Sequence, residues 1–216
     1  MFRDRKDAGI QLASKMLVFK NSSPVIFAVP RGGVPVALEL AKALKAPMDI
    51  ILVKKLGHPL NKEFSIGAVS QDDYYLIPHD DVSPDYVRME TANIRKRLNE
   101  MSKKYPGTAR LNEIQNKTVV IVDDGVATGN TLMAAIPIVK KSNPARVIIA
   151  VPIISDSARR KLQAAGAEVV AISDVPSLGS IGQFYLDFSQ ITDEEVISIM
   201  GEYSTKLNNE PSPKRI

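Results

Sequence analysis

The chain of 216 residues is 44% hydrophobic with a formal charge of +4 at pH 7, enough apolar material for one moderately large domain. It has no Cys and no Trp, which excludes disulfides and thiolate metal sites and fits a reducing, cytoplasmic setting. No apolar run approaches the ~20 residues of a membrane span, and the charged start MFRDRKDAG leads into no apolar signal region, so neither a membrane nor secretion is expected. The basic runs Arg95-Lys96-Arg97 and Arg159-Arg160-Lys161 fall in helical patterns and read as solvated faces. Aromatic residues make up only 6% of the chain, so no stacking platform for single strands is evident and nucleic acid is not an expected partner.

In chain order, Asp7 to Phe19 carries a helical stripe at Ile10, Leu12, Ala13, Met16 and Leu17 that ends before Asn21-Ser22-Ser23-Pro24. Val25 to Val29 reads as a buried strand, and a helix follows from Val34 to Leu44. Between them, Pro30-Arg31-Gly32-Gly33 is a candidate phosphate loop: Gly32 and Gly33 permit a backbone with exposed N–H groups, and Arg31 offers a planar cation for phosphate. Met48 to Val53 is a further strand, placing Lys54 and Lys55 at its carboxyl end, where α/β sheets bind ligands. Leu56 to Ser65 lacks periodicity and reads as a mobile loop holding His58 and Glu63, either of which could manage a proton. Ile66 to Ser70 and Tyr74 to Ile77 suggest a hairpin, and Ser83-Pro84-Asp85 starts a helix running to about Lys104.

The densest signal is Val119 to Thr131, VVIVDDGVATGNT. Four β-branched residues form a strand buried on both faces, which stops at Asp123 and Asp124. Gly125, Val126, Ala127, Thr128, Gly129, Asn130 and Thr131 then form a small-residue loop before a helix at Leu132 to Lys141 that contains Pro137. Loop N–H groups, Thr hydroxyls and a helix N-terminus suit one phosphate. Two adjacent carboxylates suit ribose hydroxyls or hydrated magnesium. A P-loop would need Lys where Asn130 stands, and no G-x-G-x-x-G occurs. Strand, helix and strand recur at Arg146 to Val151, Ser155 to Ala165 and Glu168 to Ile172. The fold expected is α/β, a doubly wound, mainly parallel five-stranded sheet whose crevice holds Arg31, Asp123 and Asp124. A helix capped at Thr192 closes the chain before a polar tail, 208–216, expected to be disordered.

The thirteen residues of the acidic motif resemble the 5-phosphoribosyl-1-pyrophosphate (PRPP) motif of the type I phosphoribosyltransferases, and the layout from the Phe-Arg-Asp-Arg start is similar to bacterial members without an assigned base. The resemblance implies transfer of the 5-phosphoribosyl group of PRPP to a purine or pyrimidine base with release of pyrophosphate. It implies Mg²⁺ as cofactor, a role in nucleotide salvage and a homodimer. In its terms Asp123, Asp124 and Glu63 are catalytic. Arg31 to Gly33, Lys54, Lys55 and 123–131 bind PRPP, with a cis peptide expected at Pro30–Arg31. Residues 54–77 form a flexible lid over a core of 20–175, all within one domain, 1–207. Residues 1–8 and 176–190 form a hood, with Tyr185 and Phe188 at the base, while Asp187 and Asp124 reach the metal. Ala127 stands where hypoxanthine-guanine enzymes carry Asp, which leaves the base open. A PRPP-sensing regulator, with RNA as a conceivable target, is the alternative function on the same fold.

Overall fold

The computed structural model describes residues 1–62, 64–105 and 113–209, and side chains as far as 205. Its centre is β6 (Thr118–Val122), buried along its whole length. Parallel neighbours pair with it on both sides, β1 (Pro24–Ala28) and β7 (Arg146–Ser155), so both faces need apolar side chains. With β2 (Met48–Ile50) outside β1 and β8 (Glu168–Val175) outside β7, the order is β2-β1-β6-β7-β8.

Alternation along β6 sends Val120 and Val122 into one core layer and Val119 and Ile121 into the other. The first layer is covered by α1 (Arg5–Met16), α2 (Gly33–Leu44), part of α3 (Pro84–Ser102) and α6 (Asp193–Asn209). The second is covered by α4 (Asn130–Lys140) and α5 (Asp156–Ala164). The sheet is doubly wound as expected, and its strand order reverses direction between β1 and β6, which opens a crevice at their carboxyl ends.

The second sheet departs from the sequence reading. The expected strand to Val53 ends at Ile50, and β3 (Lys54–Gly57) runs into the segment from Leu56 that was anticipated as a mobile loop. It pairs antiparallel with β4 (Ser65–Val69), which pairs with β5 (Tyr74–Leu76). The expected hairpin is therefore a three-stranded sheet, anchored by Leu56, Ile66 and Val69, all fully buried. Gly57 and Gly67 allow close approach, since a Cβ at either would meet the Lys62 or Tyr75 carbonyl oxygen at 2.5 and 2.3 Å. Lys-Lys-Leu-Gly offers one apolar side chain, too few to display a period.

Other differences lie at boundaries. α1 starts two residues early because the Asp4 carboxylate accepts from the Asp7 N–H as an N-cap. β7 and β8 run on to Ser155 and Val175. α6 reaches Asn209, so Asn208 and Asn209 are helical where the tail was expected, and 210–216 lie outside the described residues. Among the described residues no helix is long and apolar enough to cross a membrane.

Candidate active site

Both loops singled out in the sequence emerge at the reversal of strand order. Pro30 to Gly32 follows β1 and leads into α2, with the Pro30–Arg31 peptide in the cis form. Gly33 leaves no room for a side chain, since a Cβ there would lie 2.6 Å from the Val122 carbonyl oxygen at the end of β6. The two loops therefore touch backbone to backbone.

After β6 the chain turns at Asp123-Asp124 and enters α4 through Gly129, whose φ of +76° is the left-handed conformation that favours glycine. Gly125 packs too closely on Ile153 and Ile181 to carry a Cβ. Val126 is 3% exposed, and its N–H donates to the Ile153 carbonyl at 2.9 Å. The Ser155 hydroxyl donates to the Ala127 carbonyl at 2.6 Å, bracing the loop from β7. Gly125, Val126 and Ala127 thus shape the turn, while Thr128, Asn130 and Thr131 remain exposed at the start of α4. Accessible hydroxyls beside a helix N-terminus suit an anion.

The loops border a cleft of about 960 Å³ lined by Pro30, Gly32, Asp123, Asp124, Asn130 and Thr131. Lys54, Lys55 and Lys62 line it from β3 and the following turn. The opposite wall was not anticipated: it is α3, through Glu90, Ile94, Arg97, Leu98 and Met101. Their spacing of four, three, one and three residues is a helical stripe, a signal present in the sequence although its target was not.

The acidic pair divides in two. Asp123 is half-buried, and its carboxylate accepts from the Asp124 N–H at 2.9 Å. Burial first, then the neighbouring Asp124 carboxylate, push the Asp123 carboxyl well above the usual carboxylate range. Asp124 is 7% exposed and is paired with Arg5, whose Nε donates to its Oδ2 at 2.8 Å. Gly32 is what lets that carboxylate in, because a Cβ there would sit 2.0 Å from the same oxygen.

Arg5 is held by two groups besides Asp124, a carboxylate that sequence reasoning did not connect with it. Its guanidinium donates to the Ser189 carbonyl at 2.7 Å and lies 3.8 Å over the Phe188 ring. Phe188 stacks on Tyr185 and Tyr185 on Phe2, with ring centroids 5.0 and 5.3 Å apart. The Tyr185 hydroxyl donates to the Asp124 carbonyl at 2.6 Å, and burial pushes its ionisation up. Residues 1–5 and 184–189 thus pack together, and Tyr185 and Phe188 are spent on packing Arg5 and do not line the cleft. Asp187 does not reach it either. Its carboxylate accepts from the Ser189 N–H at 2.9 Å, and it lines a separate depression of about 370 Å³.

Arg31 is also turned aside. Its guanidinium lies 3.8 Å from Asp193 at the start of α6, beside Lys104 Nζ at 2.8 Å and the Tyr105 hydroxyl, which donates to Asp193 at 2.7 Å. Burial first, and then Asp193, push the Tyr105 hydroxyl up to about 12. Pro30 and Gly32 line the cleft, whereas Arg31 does not.

Of the two proton-handling candidates, His58 is 7% exposed, its Nδ1 accepts from the Leu60 N–H at 3.3 Å, and its Nε2 faces Asp81 at 3.1 Å. That leaves Nε2 as the protonated nitrogen and makes His58 a turn residue. Glu63 lies outside the described residues. Among those residues no group of three or more His, Asp or Glu side chains could hold a metal unaided.

The phosphoribosyl transferase domain family matches residues 4–188. Two Mycobacterium tuberculosis proteins, from different strains and each named "Putative phosphoribosyl transferase", are 35% identical over 206 residues, 93% of this chain and 46% of theirs. The chain spans about half the length of these relatives. A crystal structure of TT1426 from Thermus thermophilus is 39% identical, with a TM-score of 0.85, covering 94% of this chain and 99% of that one. The AQ2163 protein of Aquifex aeolicus shares the fold at 15% identity and a TM-score of 0.51, over 82% of this chain and 78% of its own.

Proposed function

The chain belongs to the phosphoribosyl transferase domain family, and from that premise we propose that it transfers the 5-phosphoribosyl group of PRPP to a nitrogen of a purine or pyrimidine base, releasing pyrophosphate. The observation that carries the reading is the meeting of two anion-suited loops, at Pro30–Gly32 and Asp123–Thr131, across one cleft at the reversal of strand order.

In this reading the 5-phosphate lies at the start of α4, where the first helical N–H groups and the hydroxyls of Thr128 and Thr131 donate to it. The Asp123 carboxylate accepts from a ribose hydroxyl. Asp124 does not touch the sugar; it fixes the loop by holding Arg5 and lying against Gly32. The pyrophosphate lies near the Pro30–Gly32 backbone, with Lys54 and Lys55 on the facing strand giving the charge to hold it. Arg31, on Asp193, steadies that loop from behind.

Displacement at C1 breaks the bond to pyrophosphate and forms the bond to the base nitrogen, and no protein nucleophile is required. Among the described residues, Asp123 is the cleft carboxylate not paired with a cation, a donor set that fits a magnesium ion held chiefly by oxygens of the ligand. Magnesium, when bound, supplies neutralisation of the leaving group's charge. The wall formed by Ile94, Leu98 and Met101 supplies apolar surface for a flat base and keeps water from that side.

The test is pyrophosphate release from PRPP and magnesium against a panel of purine and pyrimidine bases. Release that depends on one base supports the transferase and names the acceptor. PRPP binding without release with any base would replace it with the sensor.

A further inference from the structure

The cleft uses one side of α3. The other side closes a larger groove, of about 1060 Å³, against the three-stranded sheet. Its inner wall is apolar, with Ile66, Leu76, Val82 and Val87, and the Tyr74 and His79 rings also line it. Arg88, Arg95, Lys96 and Lys103 border it, against the single carboxylate of Glu100. Arg88 is paired with Asp85 at 2.6 Å, whereas Arg95 forms none of the ion pairs found among the described residues: its guanidinium donates to the Asp72 carbonyl at 3.4 Å and lies 5.8 Å from the centre of the Tyr74 ring.

A second observation falls on the same place. Among the described residues, two buried side-chain polar atoms lack a hydrogen-bond partner, Thr91 Oγ1 and Arg95 Nε. Both belong to groove-lining residues one turn apart on α3, and Thr91 is only 6% exposed. A Thr within a helix ordinarily returns its hydroxyl to the carbonyl four residues back. Leaving buried donors unpaired is costly, and such groups in a folded protein call for a partner.

We propose that this groove is a second binding site, for a small organic anion with a flat apolar body. The body lies between Leu76 and Val87 beside the Tyr74 ring, and the charged group meets Arg95 and Lys96, with Arg95 Nε–H and the Thr91 hydroxyl donating to it. A neutral apolar ligand would leave the cations and both unpaired groups unanswered. The site rests on no part of the phosphoribosyl reading, and its wall is the opposite side of the helix that bounds the cleft.

The test is a fluorescence titration of the full chain with 8-anilinonaphthalene-1-sulfonate and with its uncharged analogue N-phenyl-1-naphthylamine. One saturable site for the sulfonate is expected, with at least about tenfold weaker binding of the analogue. Arg95→Met should weaken the sulfonate about tenfold. Thr91→Val should weaken it about threefold while leaving Tm equal or higher, because an unpaired polar atom is removed. Asp123→Asn, in the cleft on the opposite side of α3, should leave the affinity for the sulfonate unchanged. If Arg95→Met fails to fold, the exposed pair Lys96→Met and Lys103→Met carries the same expectation. No saturable binding, equal affinity of the two dyes, indifference to the basic variants, or loss in Asp123→Asn would overturn the site.

Discussion

Arg5 and Asp124 show how far apart in sequence the two halves of one buried ion pair can lie. Their side chains are both about nine-tenths buried, and they join the first helix to the loop after β6. Removing one partner leaves the other charge buried and uncompensated, at a cost of about 3–5 kcal/mol. Arg5→Met should therefore lower Tm by roughly 10 °C, and adding Asp124→Asn should restore most of the loss, measured by calorimetric melting. Failure of the second change to restore stability would show that Arg5 acts through Phe188 and Ser189 instead. The acidic pair itself was legible because strand, Asp-Asp and glycine loop are contiguous. The division of labour within it was not, because what separates Asp123 from Asp124 is a cation 119 positions away. Arg31 was legible as a loop cation, but its direction was not, since Asp193, itself held by Lys104, reaches it only through folding.

At the scale of elements, the segment from β3 to α3 carries most of what sequence reading missed. The turn between β3 and β4 is tied to α3 by Tyr86, whose hydroxyl accepts from Lys62 Nζ and donates to the Gly57 carbonyl, each at 2.6 Å. Lys62 is held above its usual range, first by that hydroxyl. Because one hydrogen bond contributes about 0.5–1.5 kcal/mol, Tyr86→Phe should speed amide exchange at His58, Asn61 and Phe64 about 2- to 10-fold, with the β6 amides unchanged. Equal acceleration in β6 would mean that the tie supports the whole fold. The long helix was correctly read from its Ser83 cap and Pro84, a local signal. That it walls the cleft with one side and a second groove with the other depends on β4 and β5 lying across it, which no period in α3 reveals.

For the whole molecule, the buried runs at β1, β6 and β7 and the helices between them were enough to give the parallel sheet and the crevice at its carboxyl ends, since a strand covered on both faces must be apolar throughout. Membership of the phosphoribosyl transferase domain family follows from the match over residues 4–188, and the geometry supports PRPP as the ligand of the cleft through Asp123 and the start of α4. The most direct test is isothermal calorimetry of PRPP with magnesium on the native chain and on Asp123→Asn, with the melting temperature of each recorded alongside. The account predicts one PRPP per chain, bound at least about tenfold more weakly by Asp123→Asn, the loss of a charged hydrogen bond, with little change in Tm. No binding by the native chain, or the same affinity in both proteins, would contradict it.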